Sequence, residues 1–146
     1  MNTFRVIGVS GSLRGDSLNS LFLRAMALLC PENIRFDIST SPGELPLFNP
    51  DQEENPPASV TRWRDTLRQA DLMLLVSPEY AHGVTGPIKN ALDWIVSSGE
   101  LTDKPVAFPN LSLRAELAQS QLKEILAVMG ALVSEQCSPA ATAEIR

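Results

Sequence analysis

Two short polar segments contain the residue types that could bind an anionic ligand. Residues 11–19, GSLRGDSLN, and residues 78–83, PEYAHG, each follow an apolar run and precede a helical pattern. A turn from a strand into a helix directs backbone N–H groups and short polar side chains at one point, which suits a phosphate group. Two such turns at the same edge of one sheet predict a ligand crevice.

The first turn carries the groups expected at a phosphate site. Gly11 permits a close backbone approach. Ser12, Ser17 and Asn19 can hydrogen-bond phosphate oxygens, and the Arg14 guanidinium can neutralise their charge. The alternative is a solvated turn whose serine or asparagine only caps the next helix. The segment matches neither the dinucleotide fingerprint nor the P-loop, and it lacks the Gly-x-Ser-x-Gly elbow of hydrolases.

The second turn suits a planar ligand. Tyr80 offers a flat aromatic surface, and Gly83 keeps the backbone accessible, so backbone groups could hold the ligand. The alternative is an ordinary Pro/Gly turn with Tyr80 packed on the protein or at a subunit contact. His82 is the only histidine and has no neighbours with metal-ligand spacing, so no metal site is expected. Residues 109–114 form a third loop that could complete the crevice.

The spacing of apolar residues predicts alternating strands and helices. Strands are predicted at 4–9, 34–38, 72–76, 105–108 and 131–133, and helices at 18–29, 59–70, 87–95 and 113–129. A long proline-rich loop is predicted at 41–57. Strict alternation favours a three-layer, doubly wound α/β fold with a five-stranded parallel sheet and right-handed crossovers.

The same patterns predict which side chains face the core. On the second helix, the inward face is expected to contain Val60, Trp63 and Leu67. The largely outward face is expected to contain Arg62, Arg64 and Arg68. Both tryptophans are expected in the core, and Lys89 and Asp93 are expected to form a surface pair. The last helix is expected to place on one face Leu113, Leu117, Gln121, Ile125 and Leu126.

Length and composition limit the remaining possibilities. A chain of 146 residues suits a single domain over 1–146, and a net charge of −5 argues against general nucleic-acid binding. No apolar run reaches the ~18 residues of a membrane span, and the N-terminus lacks the layout of a secretory signal. Cys30 and Cys137 are expected to be free thiols in a cytoplasmic protein, although the sequence leaves a disulfide open.

Several motifs in the same order closely resemble the NADPH-dependent FMN reductase family, which also includes chromate, quinone and azo reductases. The resemblance covers about residues 4–133. It rests on Gly11-Ser12-Leu13-Arg14-x-x-Ser17-x-Asn19, Leu45-Pro46-Leu47-Phe48-Asn49-Pro50-Asp51, Ala70-Asp71 and Pro78-Glu79-Tyr80-x-x-Gly83-x-x-Gly86-x-x-Lys89-Asn90-Ala91-Leu92-Asp93-Trp94.

The resemblance implies a flavodoxin-like fold with FMN at the carboxyl edge of the strands. The first turn would hold the FMN phosphate, and the second would line the isoalloxazine ring, largely through backbone atoms. No catalytic acid or base and no metal ligand is expected. A homodimer or homotetramer is expected, with a subunit contact near residues 89–94. The expected cofactor-binding residues are Ser10, Ser12, Arg14, Ser17, Asn19, Pro78, Glu79, Tyr80, His82 and Gly83.

Three departures from the family pattern affect these expectations. Ala81 stands where the family often has Asn, and residues 110–114 are bulkier than the glycine-containing loop of many members. Residues 138–146 are too short for the final helix of relatives. We therefore expect one sheet face to be exposed unless a partner covers it.

The resulting hypothesis is an FMN-dependent oxidoreductase. It would pass hydride from NADPH or NADH through bound FMN to an acceptor such as a quinone, free flavin or metal oxyanion. One alternative is a flavin-binding electron carrier or sensor without NAD(P)H turnover. The other is a non-catalytic, truncated family member that acts as a subunit.

Overall fold

The computed structural model describes residues 2–140 and contains a main sheet of five parallel strands. The strands are β1 (Phe4–Ser10), β2 (Ile34–Ile38), β3 (Leu72–Val76), β4 (Glu79–Tyr80), β5 (Gly83–Val84), β6 (Pro105–Ala107) and β7 (Leu132–Val133). In space the main sheet has the order β2-β1-β3-β6-β7, and β4 and β5 form a separate antiparallel hairpin. The alternation and the positions of the five strands of the main sheet, as predicted from the sequence, are confirmed.

Five α-helices and one 3₁₀ turn connect these strands within residues 2–140. The α-helices are α1 (Leu18–Leu29), α2 (Ser41–Glu44), α3 (Ala58–Gln69), α4 (Gly86–Asp93) and α5 (Glu116–Val128). The long loop predicted at 41–57 contains two short helical segments that were not predicted, α2 and the 3₁₀ turn Pro50–Gln52. Proline occupies an early position in each, where its missing N–H costs no helical hydrogen bond.

The register of the central strands places the two predicted turns side by side. Strand β1 lies between β2 and β3, and Ser10 at its end is paired with Val76 at the end of β3. The order of the strands reverses between β1 and β3. Ligands in open parallel sheets bind at such a switch point, outside the carboxyl ends of the strands.

Three helices cover one face of the sheet, which we call the covered face. Helices α3, α4 and α5 pack there on β1, β3 and β6 and enclose a continuous apolar core. Both tryptophans lie in this core, as predicted, and the Trp63 indole donates a hydrogen bond of 2.9 Å to the Ala91 carbonyl. The largest fully buried side chains on this face include Trp63, Leu67, Met73, Leu75, Ile88, Trp94 and Leu126.

Two details of the predicted helix faces are wrong. Arg64 does not point outward: it is buried, and its guanidinium donates two hydrogen bonds, of 3.1 and 2.8 Å, to the carbonyl of Trp94. Helix α5 begins at Glu116 rather than at residue 113, and its buried residues are Ala118, Leu122 and Leu126. Of the five residues expected on its inner face, Leu113, Leu117 and Gln121 are exposed.

The opposite face of the sheet, which we call the open face, carries only α1 among the described residues. Leu23 of α1 packs with Leu74, Val76 and Ala107 in a small buried cluster. Beside α1 lies an apolar groove of about 1020 Å³ over β1, β3 and β6. Within residues 2–140 this face is thus partly exposed, as expected. The last six residues of the predicted tail, 141–146, lie outside the described part. Side chains that line the groove include Phe4, Leu18, Met26, Leu29, Leu72 and Leu113.

A hydrogen-bonded strap holds residues 45–50 against α4. The Asn90 side chain accepts from the Phe48 N–H at 2.8 Å and donates to the Pro46 carbonyl at 2.9 Å. The Trp94 indole donates to the same carbonyl at 2.8 Å, and its ring meets that of Phe48 edge to face at 5.0 Å. These contacts join the motif around Pro46 to the motif around Asn90.

Candidate functional site

Two hydrogen bonds join Gly11 of the first predicted turn to the residues that flank the second. The Gly11 N–H donates to the Val76 carbonyl at 2.8 Å, and the buried Thr85 hydroxyl donates to the Gly11 carbonyl at 2.8 Å. A Cβ atom on Gly11 would lie 2.0 Å from Ser77 Oγ, so only glycine fits there. Thr85 was not among the predicted site residues, although its place directly before a helix-starting Gly-Pro pair was an available signal.

The beginning of the first turn is shaped by its own serines. Ser10 Oγ accepts from the Ser12 N–H and donates to the Ser12 carbonyl, both at 3.1 Å. Ser12 Oγ then accepts from the Arg14 N–H at 3.3 Å. The two serines therefore curl the backbone at the exit of β1 and fix where Arg14 leaves it.

Ser17 caps helix α1. Its hydroxyl accepts from the Ser20 N–H at 3.0 Å and donates to Ser20 Oγ at 2.9 Å. The capping alternative from the sequence analysis therefore describes Ser17, whereas Asn19 lies inside the first turn of the helix. An N-cap serine still fixes the backbone at the positive end of the helix dipole.

The first turn leaves several hydrogen-bond donors without a protein partner among residues 2–140. Asn19 is only 8% exposed, yet its side-chain amide bonds to no described residue, and none of its polar atoms is fully covered. The exposed Arg14 guanidinium makes no ion pair in this part of the chain. A second cation, Arg24, reaches back to the Gly15 carbonyl at 3.0 Å.

This set of donors fits a phosphate group. A nearly buried amide without a partner, an unpaired guanidinium and the N-terminus of a helix of 12 residues lie within one turn. The first turn of α1 contains no acidic residue, although exposed Asp16 precedes it. Donors in excess beside a helix N-terminus are what an FMN phosphate requires.

The second turn is a tight hairpin, in which β4 and β5 pair antiparallel, and the sequence predicted only a turn there. Ala81 and His82 at its tip both adopt positive φ, 49° and 62°. Tyr80 is 53% exposed beside them, so its ring is available to a planar ligand rather than packed on the described residues. The Glu79 carboxylate does not face the crevice freely, because it accepts from the Ala118 N–H of α5 at 2.8 Å.

The third loop is held by its own contacts. Asn110 Oδ1 accepts from the Ser112 N–H at 3.0 Å, and the Asn110 N–H donates to the Pro139 carbonyl at 2.9 Å. The apolar residues Leu111 and Leu113 line the groove on the open face. The bulky residues of this loop thus extend toward the groove.

The described residues contain no cluster of His, Cys, Asp or Glu that could hold a metal ion. Cys30 and Cys137 are both free thiols, as expected. Across residues 2–140, every helix is too short or too polar to cross a membrane. The predicted pair of Lys89 and Asp93 is present, with 2.6 Å between Nζ and Oδ1.

Comparisons with known proteins agree with this architecture. The family model for NADPH-dependent FMN reductase matches residues 4–144. The quinone reductase of Escherichia coli (strain K12) is 33% identical over 136 residues, which are 88% of this chain and 72% of that protein. The probable NADPH:quinone oxidoreductase 1 of Oryza sativa subsp. japonica is 45% identical over 111 residues, covering 70% of this chain and 55% of that protein.

A solved structure extends the agreement to three dimensions. FerB, a flavoenzyme NAD(P)H:(acceptor) oxidoreductase from Paracoccus denitrificans, superposes with a TM-score of 0.83 at 31% identity, over 94% of this chain and 78% of that one. The chain belongs to the NADPH-dependent FMN reductase family. It is a flavodoxin-like oxidoreductase with FMN as cofactor and NAD(P)H as co-substrate, and the electron-carrier and non-catalytic alternatives are not favoured.

Proposed function

We propose that the turn after β1 holds the FMN phosphate and that the β4–β5 hairpin lines the isoalloxazine ring. The observation that carries the proposal is the nearly buried Asn19 amide, which has no partner within residues 2–140 and lies beside Arg14 at the start of α1. Because its polar atoms are not fully covered, a phosphate oxygen can reach its N–H groups. The residues proposed to bind the cofactor are Ser10, Ser12, Arg14, Ser17, Asn19, Pro78, Glu79, Tyr80, His82 and Gly83.

These residues have different roles in the proposal. Arg14 and Asn19 donate to phosphate oxygens, and Ser17 fixes the helix N-terminus that points at them. Ser10 and Ser12 shape the turn through the hydrogen bonds between them. At the hairpin, Glu79 contributes its backbone, because its carboxylate is bound to α5.

When bound, FMN supplies the hydride and electron transfer between NAD(P)H and the acceptor. The chain provides binding, orientation and exclusion of water. No described side chain is assigned a proton-transfer role, and a flavin enzyme does not require one. The Tyr80 ring and the hairpin backbone orient the ligand plane at the β1/β3 switch point.

We propose a quinone as the electron acceptor. The support comes from the named relatives, a quinone reductase and a probable NADPH:quinone oxidoreductase. A planar, largely apolar acceptor also suits a site bordered by an exposed tyrosine ring. Free flavin and metal oxyanions are the alternative acceptors, to be compared with a quinone in an assay of NADPH oxidation.

We propose a single domain over residues 1–146, a homodimer or homotetramer with a contact near residues 89–94, and a cytoplasmic location. Both cysteines are free thiols, which suits a reducing compartment. Light scattering on the purified protein measures the oligomer, and cell fractionation measures the location.

The first prediction tests the phosphate site. Asn19→Ala and Arg14→Ala are each expected to raise the Kd for FMN at least about tenfold, because a hydrogen bond to a charged group contributes ~1.5–3 kcal/mol. Arg14→Lys should lose less, since it keeps the charge. The measurement is quenching of FMN fluorescence, followed by NADPH oxidation with a quinone.

The matched control is Arg62→Ala, which removes an exposed arginine far along the chain on α3. It should leave the FMN affinity unchanged. Wild-type affinity in both Asn19→Ala and Arg14→Ala would contradict the phosphate site. If the protein binds FMN that can be reduced and reoxidised in a titration, but shows no steady-state NADPH turnover, the electron-carrier alternative would be favoured instead.

A further inference from the structure

The β4–β5 hairpin holds two L-residues in a conformation that favours glycine. Ala81 and His82 form its two-residue tip with φ of 49° and 62°. Such a turn suits the twist of paired strands but is normally built from Asn and Gly. A non-glycine pair in this region persists only where the surrounding structure imposes it.

The surrounding structure is helix α5, which contacts both strands of the hairpin. Glu79 on β4 accepts from the Ala118 N–H at 2.8 Å, and Gln121 Oε1 accepts from the Val84 N–H of β5 at 3.1 Å. Each contact joins residues nearly forty positions apart in the chain, 39 and 37 respectively. The hairpin is thus attached to α5 at one point on each strand.

The two contacts differ in what they do for α5. Ala115 at the N-cap provides no side-chain cap, and Ala118 is the third residue of the helix. The Glu79 carboxylate therefore acts as the missing cap from another element, and its charge lies at the positive end of the helix dipole. Gln121 is exposed, so its contact with Val84 has no core-packing role.

We propose that Gln121, with Glu79, is a positioning residue that holds the hairpin in the strained conformation needed to place Tyr80 and its neighbouring backbone against the flavin. This inference rests on the proposed function, because it assigns a role to α5 at the proposed ring site. It adds to that site a residue that the family motifs do not contain. The Gln121 side chain acts only through the Val84 amide and touches no reacting atom.

The test compares Gln121→Leu with Gln121→Glu, which retains an oxygen that can accept the Val84 N–H. Glu124→Leu is the matched control, an exposed residue on the same helix. Hydrogen exchange of the Val84 amide is measured without FMN, and the Kd for FMN and the visible circular dichroism of the bound flavin are measured separately. Gln121→Leu should speed exchange at Val84 about fivefold to tenfold, consistent with loss of one net hydrogen bond. It should also weaken FMN binding several-fold and change the flavin dichroism.

Gln121→Glu should give wild-type values in all three measurements, and Glu124→Leu should change none of them. Unchanged exchange at Val84 in Gln121→Leu would overturn the proposal that Gln121 holds the hairpin. Faster exchange with wild-type FMN affinity and dichroism would overturn its role at the flavin. A wild-type protein that binds no FMN would defeat the proposed function instead, while the exchange measurement still decides whether Gln121 holds the hairpin.

Discussion

The two faces of the sheet bury their apolar residues to very different extents. On the covered face, α3, α4 and α5 enclose a core that includes Leu126, which is 0% exposed. On the open face, α1 is the only helix among the described residues, and Leu29 beside the groove is 79% exposed. Both leucines lie on helices that flank the same sheet. The difference shows that the burial of an apolar side chain depends on what covers its face of the sheet.

The candidate site depends on both faces. Its first turn leads into α1, which packs on the open face, whereas its hairpin is held by α5 of the covered face. The proposed phosphate-binding turn is therefore attached to the less covered side of the molecule. The hairpin proposed to line the flavin ring is attached to the densely packed side.

The largest effect is expected from a matched pair of leucine truncations. Leu126→Ala removes a fully buried side chain and should lower the free energy of unfolding by ~2–5 kcal/mol. Leu29→Ala, on the exposed side of α1, should change it by about 0.5 kcal/mol or less. Urea denaturation measures both. Equal losses would mean that the open face is covered in solution, for example by a second copy.

A smaller effect is expected at the strap on the covered face. Asn90→Ala removes both hydrogen bonds to the backbone of residues 46–48 and should cost ~1–3 kcal/mol. It should also make the loop at 45–57 more sensitive to limited proteolysis. The adjacent Lys89→Ala removes only an exposed pair with Asp93 and should cost ~0.5 kcal/mol. If both variants lose the same small amount of free energy of unfolding, the strap contributes little to stability.

The smallest effect on the free energy of unfolding is expected at the tip of the β4–β5 hairpin. Ala81→Gly removes the strain of a positive φ, which stabilises the fold, but glycine also loses more backbone entropy on folding. The net result should be a free energy of unfolding higher by ~0.5–1 kcal/mol. Ala127→Gly makes the same substitution at an exposed position in α5 and should lower stability by ~1 kcal/mol. Thermal denaturation compares their signs. A loss of stability in both would show that Ala81 is not strained.

Most of the fold follows from patterns that are local in the chain. The apolar run 72–76 and the alternation at 34–38 fall where β3 and β2 are found, and the helix predicted to end before Pro31 ends at Leu29. Local patterns did not predict the position of a side chain that binds a partner distant in the chain. Arg64 looks like a surface residue in its helical pattern, yet the carbonyl of Trp94 binds its guanidinium in the core.

The candidate site shows the same division. The first turn has a composition that predicts an anion site, because glycine, serine, arginine and asparagine perform that role through local geometry. The hairpin was missed as a hairpin, because neither Ala81 nor His82 is a residue that favours positive φ. Nothing in the neighbourhood of residues 78–83 in the chain points to Gln121.

Periodicity and motifs in a fixed order were enough to predict the alternation of strands and helices, the parallel sheet and the family. They could not predict which face is covered, that Asn19 is nearly buried without a partner within residues 2–140, or that α5 holds the hairpin. Burial and hydrogen-bond satisfaction are set by what packs against a residue. Those neighbours come from distant parts of the chain.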